Sequence, residues 1–138
     1  MNYVSYFEEA SIIQELRRYD IRGKKMLEIN NKYYFSDTGI RNSVLGRFDG
    51  TDIAKILENA VLLQLHSSGY RVSIGKYNET EIDFIAEDGQ GNKKYVQVSY
   101  LLSEEATWQR EIDPLLKIAD AYPRYIVTLD PYRRGNHE

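Results

Sequence analysis

Hydrophobic and polar residues alternate with period two through YRVSIGK, TEIDFIA and KYVQVSY, which predicts three strands. Ahead of them, DIAKILENAVLLQLHSSG carries apolar residues at helical spacing. At about 100° per residue Ile53, Ile56, Leu57, Ala60, Val61, Leu63 and Leu65 cover more than half its circumference, so a largely buried helix is expected. Thr51 or Asp52 can cap its start and Gly69 ends it. Its polar edge holds Asp52, Lys55, Asn59 and His66. Glu58 stands apart, an acid between Leu62 and Leu65 at the margin of the apolar arc. After the strands, residues 104–119 read as a second helix with Trp108, Ile112, Leu115, Leu116 and Ala119 available for packing and Pro114 in its interior. RYIVTLD is the near-continuous apolar run of a buried strand. The order helix, three strands, helix, strand predicts an α/β domain. Its central mixed sheet is expected from residues 70–100 and 124–129, flanked by helices over 52–68 and 104–119.

The N-terminal third is less regular. SYFEEASIIQELRR predicts a short helix ending near Arg18, with Ile12, Ile13 and Leu16 as its apolar face, followed by an extended pair broken at Arg22-Gly23-Lys24. A strand over 32–36 closes on Asp37-Thr38-Gly39 as a turn, and IRNSVLGRFDG reads as a loop with one helical turn. Residues 1–50 are therefore expected to pack as a helix and an extended pair on one side of a core formed by residues 51–138, in one domain overall.

Composition narrows the function. A chain of 138 residues with 42% hydrophobic and 28% charged residues can fold around one core. With no cysteine, it has neither disulfides nor thiolate metal sites. No apolar run approaches the roughly 20 residues of a membrane helix, and no basic start precedes an apolar stretch, so no membrane role and a cytoplasmic location are expected. A net charge of -3 argues against nucleic-acid binding over the whole surface. Local clusters remain at Arg17-Arg18, over 22–25 and at Arg133-Arg134, where solvated surface is the competing reading. Twelve tyrosines could stack on bases, although strand positions account for most of them. His66 and His137 lack metal-ligand spacing, and no serine lies in a nucleophile-elbow context.

The chemistry concentrates in TEIDFIAEDGQGNKKYVQVSY. Alternation puts Ile82, Phe84 and Ala86 on one face and Glu81, Asp83 and Ile85 on the other. A hairpin centred on Gln90 sets Asp83 opposite Gln97 and Glu81 opposite Ser99. The helix bearing Glu58 could add a third oxygen donor to that face. Magnesium takes a few hard oxygen ligands and keeps several waters, so two carboxylates and an amide oxygen would suffice, and metal-bound water could attack a phosphodiester. Read by periodicity alone, Asp83 and Gln97 are also simply polar residues of a half-exposed strand face.

The series KYYFSDTGIRN, LENAVLLQLHSSGY, EIDFIAED, YVQVSYLL, PLLKI and YPRYIVTLD resembles the uncharacterised C-terminal domain that follows the ATPase module in a widespread family of prokaryotic AAA-type ATPases. That domain is similar to the PD-(D/E)xK superfamily of restriction endonucleases and Holliday-junction resolvases. The resemblance covers nearly the whole chain and implies a restriction-endonuclease-like fold. It makes Glu58 the helix acid, Asp83 the metal-binding acid and Gln97 the second strand ligand of a Mg2+ or Mn2+ site acting on branched or duplex nucleic acid. The pattern expects a lysine two residues after that ligand, and Ser99 stands there. A hydroxyl cannot supply its positive charge, so the implied phosphodiesterase site is degenerate, unless Lys94, Arg110 or Lys117 replaces it. The chain has no G-x-x-x-x-G-K-[ST], so the ATPase module would be a partner outside it. The alternative expectation is a catalytically inactive interaction module that docks on the ATPase part or on a protein partner.

Overall fold

The computed structural model describes residues 3–46, 52–132 and Gly135. Residues 47–50 of the loop expected over 40–50, Thr51 as a cap, the basic pair Arg133-Arg134 and His137 lie outside them, and most of the rest of that loop is a helix over Thr38–Leu45. A six-stranded mixed sheet runs in the order β2-β1-β3-β4-β5-β6, with helices packed on it. The helices are α1 (Tyr3–Glu9), α2 (Thr38–Leu45), α3 (Ile53–Ser67) and α4 (Glu105–Leu116). The strands are β1 (Ile13–Asp20), β2 (Lys25–Phe35), β3 (Arg71–Tyr77), β4 (Thr80–Glu87), β5 (Lys93–Ser99) and β6 (Arg124–Thr128).

The three strands and two helices expected between residues 52 and 119 are present, but the N-terminal third differs. Ile13 and Leu16 belong to β1 and not to a helix, because β1 has strands on both sides. It pairs antiparallel with β2 and parallel with β3, and ladder bonds on both edges outweigh the local helical spacing. The pair β1-β2 thus extends the sheet instead of packing beside it. Asp37 is not the start of a turn but the N-cap of α2, its side chain accepting the Ile40 N–H at 2.8 Å.

Two apolar clusters fill the two faces of the sheet. Leu16, Tyr34, Leu62, Ile74, Phe84 and Val96 form the one under α3. Ile21, Ile82, Ile85, Tyr95, Leu115 and Ile118 form the one under α4. Ile82 therefore faces away from Phe84, contrary to strict alternation. The cause is a bulge: Ser73 pairs with Ile85 and Gly75 with Ile82, so Asp83 and Phe84 together oppose Ile74.

Four burial expectations change. α3 is half-buried, with Leu62 fully enclosed and Ala60 exposed. Asn59 leaves the polar edge and is buried, its amide accepting the Phe35 N–H at 3.1 Å and donating to the Phe35 carbonyl at 2.8 Å. β6 is an edge strand with Tyr125 exposed, so its apolar run does not mark a central position. In α4, Glu111 is buried while Leu116 is exposed.

Candidate functional site

The hairpin of β4 and β5 turns through Asp88, whose carboxylate accepts the N–H groups of Gln90 and Asn92 at 2.8 and 2.9 Å. This fixes the register about Gln90, with Glu87 opposite Lys93 and Phe84 opposite Val96. Beyond that last ladder pair, side chains take over the backbone bonding. The Asp83 carboxylate accepts the Val98 N–H at 2.8 Å, and the Gln97 side-chain oxygen accepts the Asp83 N–H at 3.2 Å. Asp83 and Gln97 are therefore in contact, as the pairing expected. The Gln97 amide also donates to Glu111 on α4 at 3.1 Å.

Glu58 reaches the same neighbourhood from α3. Tyr34 of β2 donates its hydroxyl to Glu58 at 2.5 Å, and the Lys32 ammonium lies 3.8 Å from the same carboxylate oxygen. Lys32 also pairs with Glu81, which Arg18 of β1 holds from the other side. The Arg18 Nε donates to the Asn30 carbonyl at 2.5 Å. That carbonyl lies where β2 loops out of register between Leu27 and Lys32, with Asn30 in the left-handed region at φ 57°. The loop ends at Lys32, and bulges of this kind re-aim the side chains that follow them.

The electrostatics follow from this crowding. Burial pushes the Asp83 carboxyl up to about 7; the Val98 N–H opposes that shift, Glu58 adds to it, Lys32 opposes it and Glu111 adds to it. Asp83 thus exchanges its proton near neutrality. Burial, then the hydrogen bond to Glu58, raises the Tyr34 hydroxyl well above its ordinary value, so it remains a donor. Burial alone would raise the Glu81 carboxyl, but the bonds from Lys32 and Arg18 outweigh it and hold Glu81 below its ordinary value.

The cations proposed to replace the expected lysine have other partners or other places. Lys94 donates to the Tyr70 hydroxyl at 2.6 Å, and Arg110 pairs with Glu111 at 2.9 Å. Lys117 is exposed past the end of α4. Ser99 is buried and donates to the Leu101 carbonyl at 3.2 Å. The cation that does reach the acids is Lys32. Period two in KYYF places Lys32 and Tyr34 on one strand face, but nothing local in the sequence says that this face meets α3. Glu111 had a clearer signal, since 108, 111, 115 and 118 follow helical spacing.

For a hard divalent cation, Glu58 and Asp83 offer suitable oxygens, and a cation would relieve their mutual repulsion. Gln97 does not fit as a third ligand here, because its oxygen is engaged by the Asp83 N–H. Among the described residues no three Asp, Glu, His or Cys side chains gather as a metal-ligand set.

No helix among the described residues is long and apolar enough to cross a membrane. No protein-family model matches the chain. No solved structure matches it either. Among curated proteins it is similar to an uncharacterised protein of Haemophilus influenzae, 38% identical over 126 residues that cover 91% of this chain. The chain spans 30% of the length of that relative.

Proposed function

We propose that this chain is a nuclease-like accessory domain of a cytoplasmic AAA-type ATPase and that it binds branched or duplex nucleic acid beside a degenerate phosphodiesterase site. The fold intended is restriction-endonuclease-like. The observation that best supports the reading is the meeting of Asp83 with Gln97, Glu58 and Lys32 at the point where β4 and β5 stop pairing. A half-protonated buried carboxylate beside a second acid and a lysine is uncommon as mere surface polarity, and such sites concentrate where chemistry or ligand binding occurs. Glu58 and Asp83 would hold Mg2+ or Mn2+ with water completing its shell, and the cation would offset charge on a bound phosphate. No hydrolytic step is assigned, because Ser99 carries no charge and Gln97 is occupied.

Fluorescence anisotropy with labelled single-stranded, duplex and four-way-junction oligonucleotides tests this. Saturable binding that weakens in Glu58→Gln and Asp83→Asn supports the reading. Wild-type protein that binds none of the three contradicts it.

A second reading has its own support. Tyr3, Tyr6 and Phe7 on α1 are exposed, and so are Tyr125 on the free edge of β6 and Leu129 just after it. These are surfaces for an interaction module that docks on the ATPase part or a protein partner. Wild type that binds no nucleic acid but joins the separately expressed ATPase part would favour it.

A further inference from the structure

A cleft of about 370 Å³ that Glu58 helps to line opens between β2, α2 and α3. Three cations line it, one from each element: Lys32, Arg41 and Lys55. Glu58 is the one carboxylate in its lining. We propose that this cleft binds a backbone phosphate of a nucleic-acid strand, and that Lys32 brings to the site the positive charge that position 99 lacks. The proposal rests on the nucleic-acid reading above and names the residues that would hold the strand.

Each cation is placed for that task in a different way. Arg41 is buried, and its guanidinium is fixed by Asp52 at 3.1 Å and Asn42 at 3.1 Å. Two of its five N–H groups serve those partners, which leaves others for a phosphate oxygen. Lys32 is held by Glu81 and lies 3.8 Å from Glu58, so it stands between the cleft and the acids. Neither Asp52 nor Glu81 lines the cleft, so the counter-ions orient these cations from outside it. Lys55 is exposed and makes no ion pair among the described residues. It is the charge with most to gain from a phosphate.

The sign and size of the cleft suit a phosphodiester. Asp52 and Glu81 offset Arg41 and Lys32 from outside the lining, so the charge left for a phosphate is that of Lys55, with the spare N–H groups of Arg41 and the Lys32 ammonium as further donors. A backbone phosphate carries one negative charge and accepts hydrogen bonds from Lys and Arg without regard to base. Binding is therefore expected to be sequence-independent and sensitive to salt. A strand anchored here would lead past Lys32 toward Glu58. The hairpin of β1 and β2 is then part of the site and not an addition to it.

The test is anisotropy titration of one labelled oligonucleotide, single-stranded and duplex, at several salt concentrations. The proteins are wild type, Lys55→Glu, Lys32→Met, Lys32→Arg and the control Lys117→Glu, each checked for an unchanged melting temperature. Inorganic phosphate is added as a competitor. Lys55→Glu is expected to weaken binding about tenfold or more and to reduce the salt slope by about one. Lys32→Met should weaken it and Lys32→Arg restore most of it, while Lys117→Glu changes nothing. Competition by millimolar phosphate at constant ionic strength would mark phosphate itself as the group recognised. If wild type binds but Lys55→Glu and Lys32→Met bind equally well, the cleft assignment is wrong and the nucleic-acid reading survives. Equal weakening by Lys117→Glu would also overturn the cleft, since any surface charge would then do. Wild type that binds no oligonucleotide overturns the reading and the cleft with it.

Discussion

Gln97 holds Asp83 by its backbone: the amide oxygen of Gln97 accepts the Asp83 N–H at 3.2 Å, while its amide nitrogen reaches Glu111 at 3.1 Å. The residue that the resemblance makes a strand ligand is thus a spacer between two acids. Its neutrality is what lets Asp83 and Glu111 stand so close. Gln97→Glu would add a third carboxylate among them and remove a donor. That variant is expected to lose on the order of 1–3 kcal/mol at pH 8. A buried new carboxyl has a raised folded pKa, so the loss should shrink toward pH 5, and Mn2+ should recover part of it. Thermal melts at both pH values with and without Mn2+ check this.

Asp83 gives stability a pH dependence of definite sign. Its carboxyl is raised from an ordinary 3.8 to about 7 in the folded chain. Between those values the folded state binds the proton that the unfolded state has released, so Asp83 lowers stability as pH rises through this window. Above it the cost is full, on the order of 4 kcal/mol. Asp83→Asn keeps an acceptor for the Val98 N–H and removes the charge. Urea unfolding should show the variant gaining on wild type from pH 4.5 to pH 7.5; a constant difference would contradict the shift.

Asn59 fastens α3 to β2 through both polar groups of Phe35, in the place where a further strand would have bonded them. It sets the approach of Glu58, one residue away, to Tyr34. Asn59→Ala leaves two backbone groups without partners and is expected to cost about 1–3 kcal/mol in chemical denaturation. It should also weaken any ligand that depends on Glu58, while Asn59→Asp should spare part of the stability by still accepting the Phe35 N–H.

Gly75 lies where β3 crosses the bulge. A Cβ there would stand 2.8 Å from the Ile82 Cβ and 3.2 Å from the Ile85 Cγ1, with the Ile21 Cδ1 at 3.3 Å. These atoms belong to the cluster under α4. Gly75→Ala is expected to destabilise by about 1–3 kcal/mol through overpacking, and the double variant Gly75→Ala, Ile21→Val, which removes the Cδ1 at 3.3 Å, to recover part of it. Melting temperatures of the three proteins check this.

The sequence was most legible where local period and tertiary role agree. TEIDFIA and KYVQVSY are central strands with a tight turn between them, so the strands and the register near the turn followed from residues 80–100, while the bulge that turns Ile82 away from Phe84 did not, because it is set by the pairing with β3. It misled where neighbours decide. IIQEL has helical spacing but becomes a strand because β2 and β3 flank it, and RYIVT has the composition of a central strand but lies at the edge. The acids of the site could be read because each sits in a recognisable element. Lys32 could not, since its position depends on the loop at Asn30 and on β1 joining the sheet through β3, contacts far apart in sequence.

The central claim is that Asp83 is still a cation-responsive acid and not a buried remnant. Calorimetric titration of the chain with Mn2+ at pH 6 and pH 8, beside Asp83→Asn, tests it most directly. The account predicts saturable binding that is tighter at pH 8, with a proton released on binding at pH 6, both lost in the variant. Absence of binding, or identical binding by a variant of equal stability, would contradict it and leave the interaction-module reading in its place.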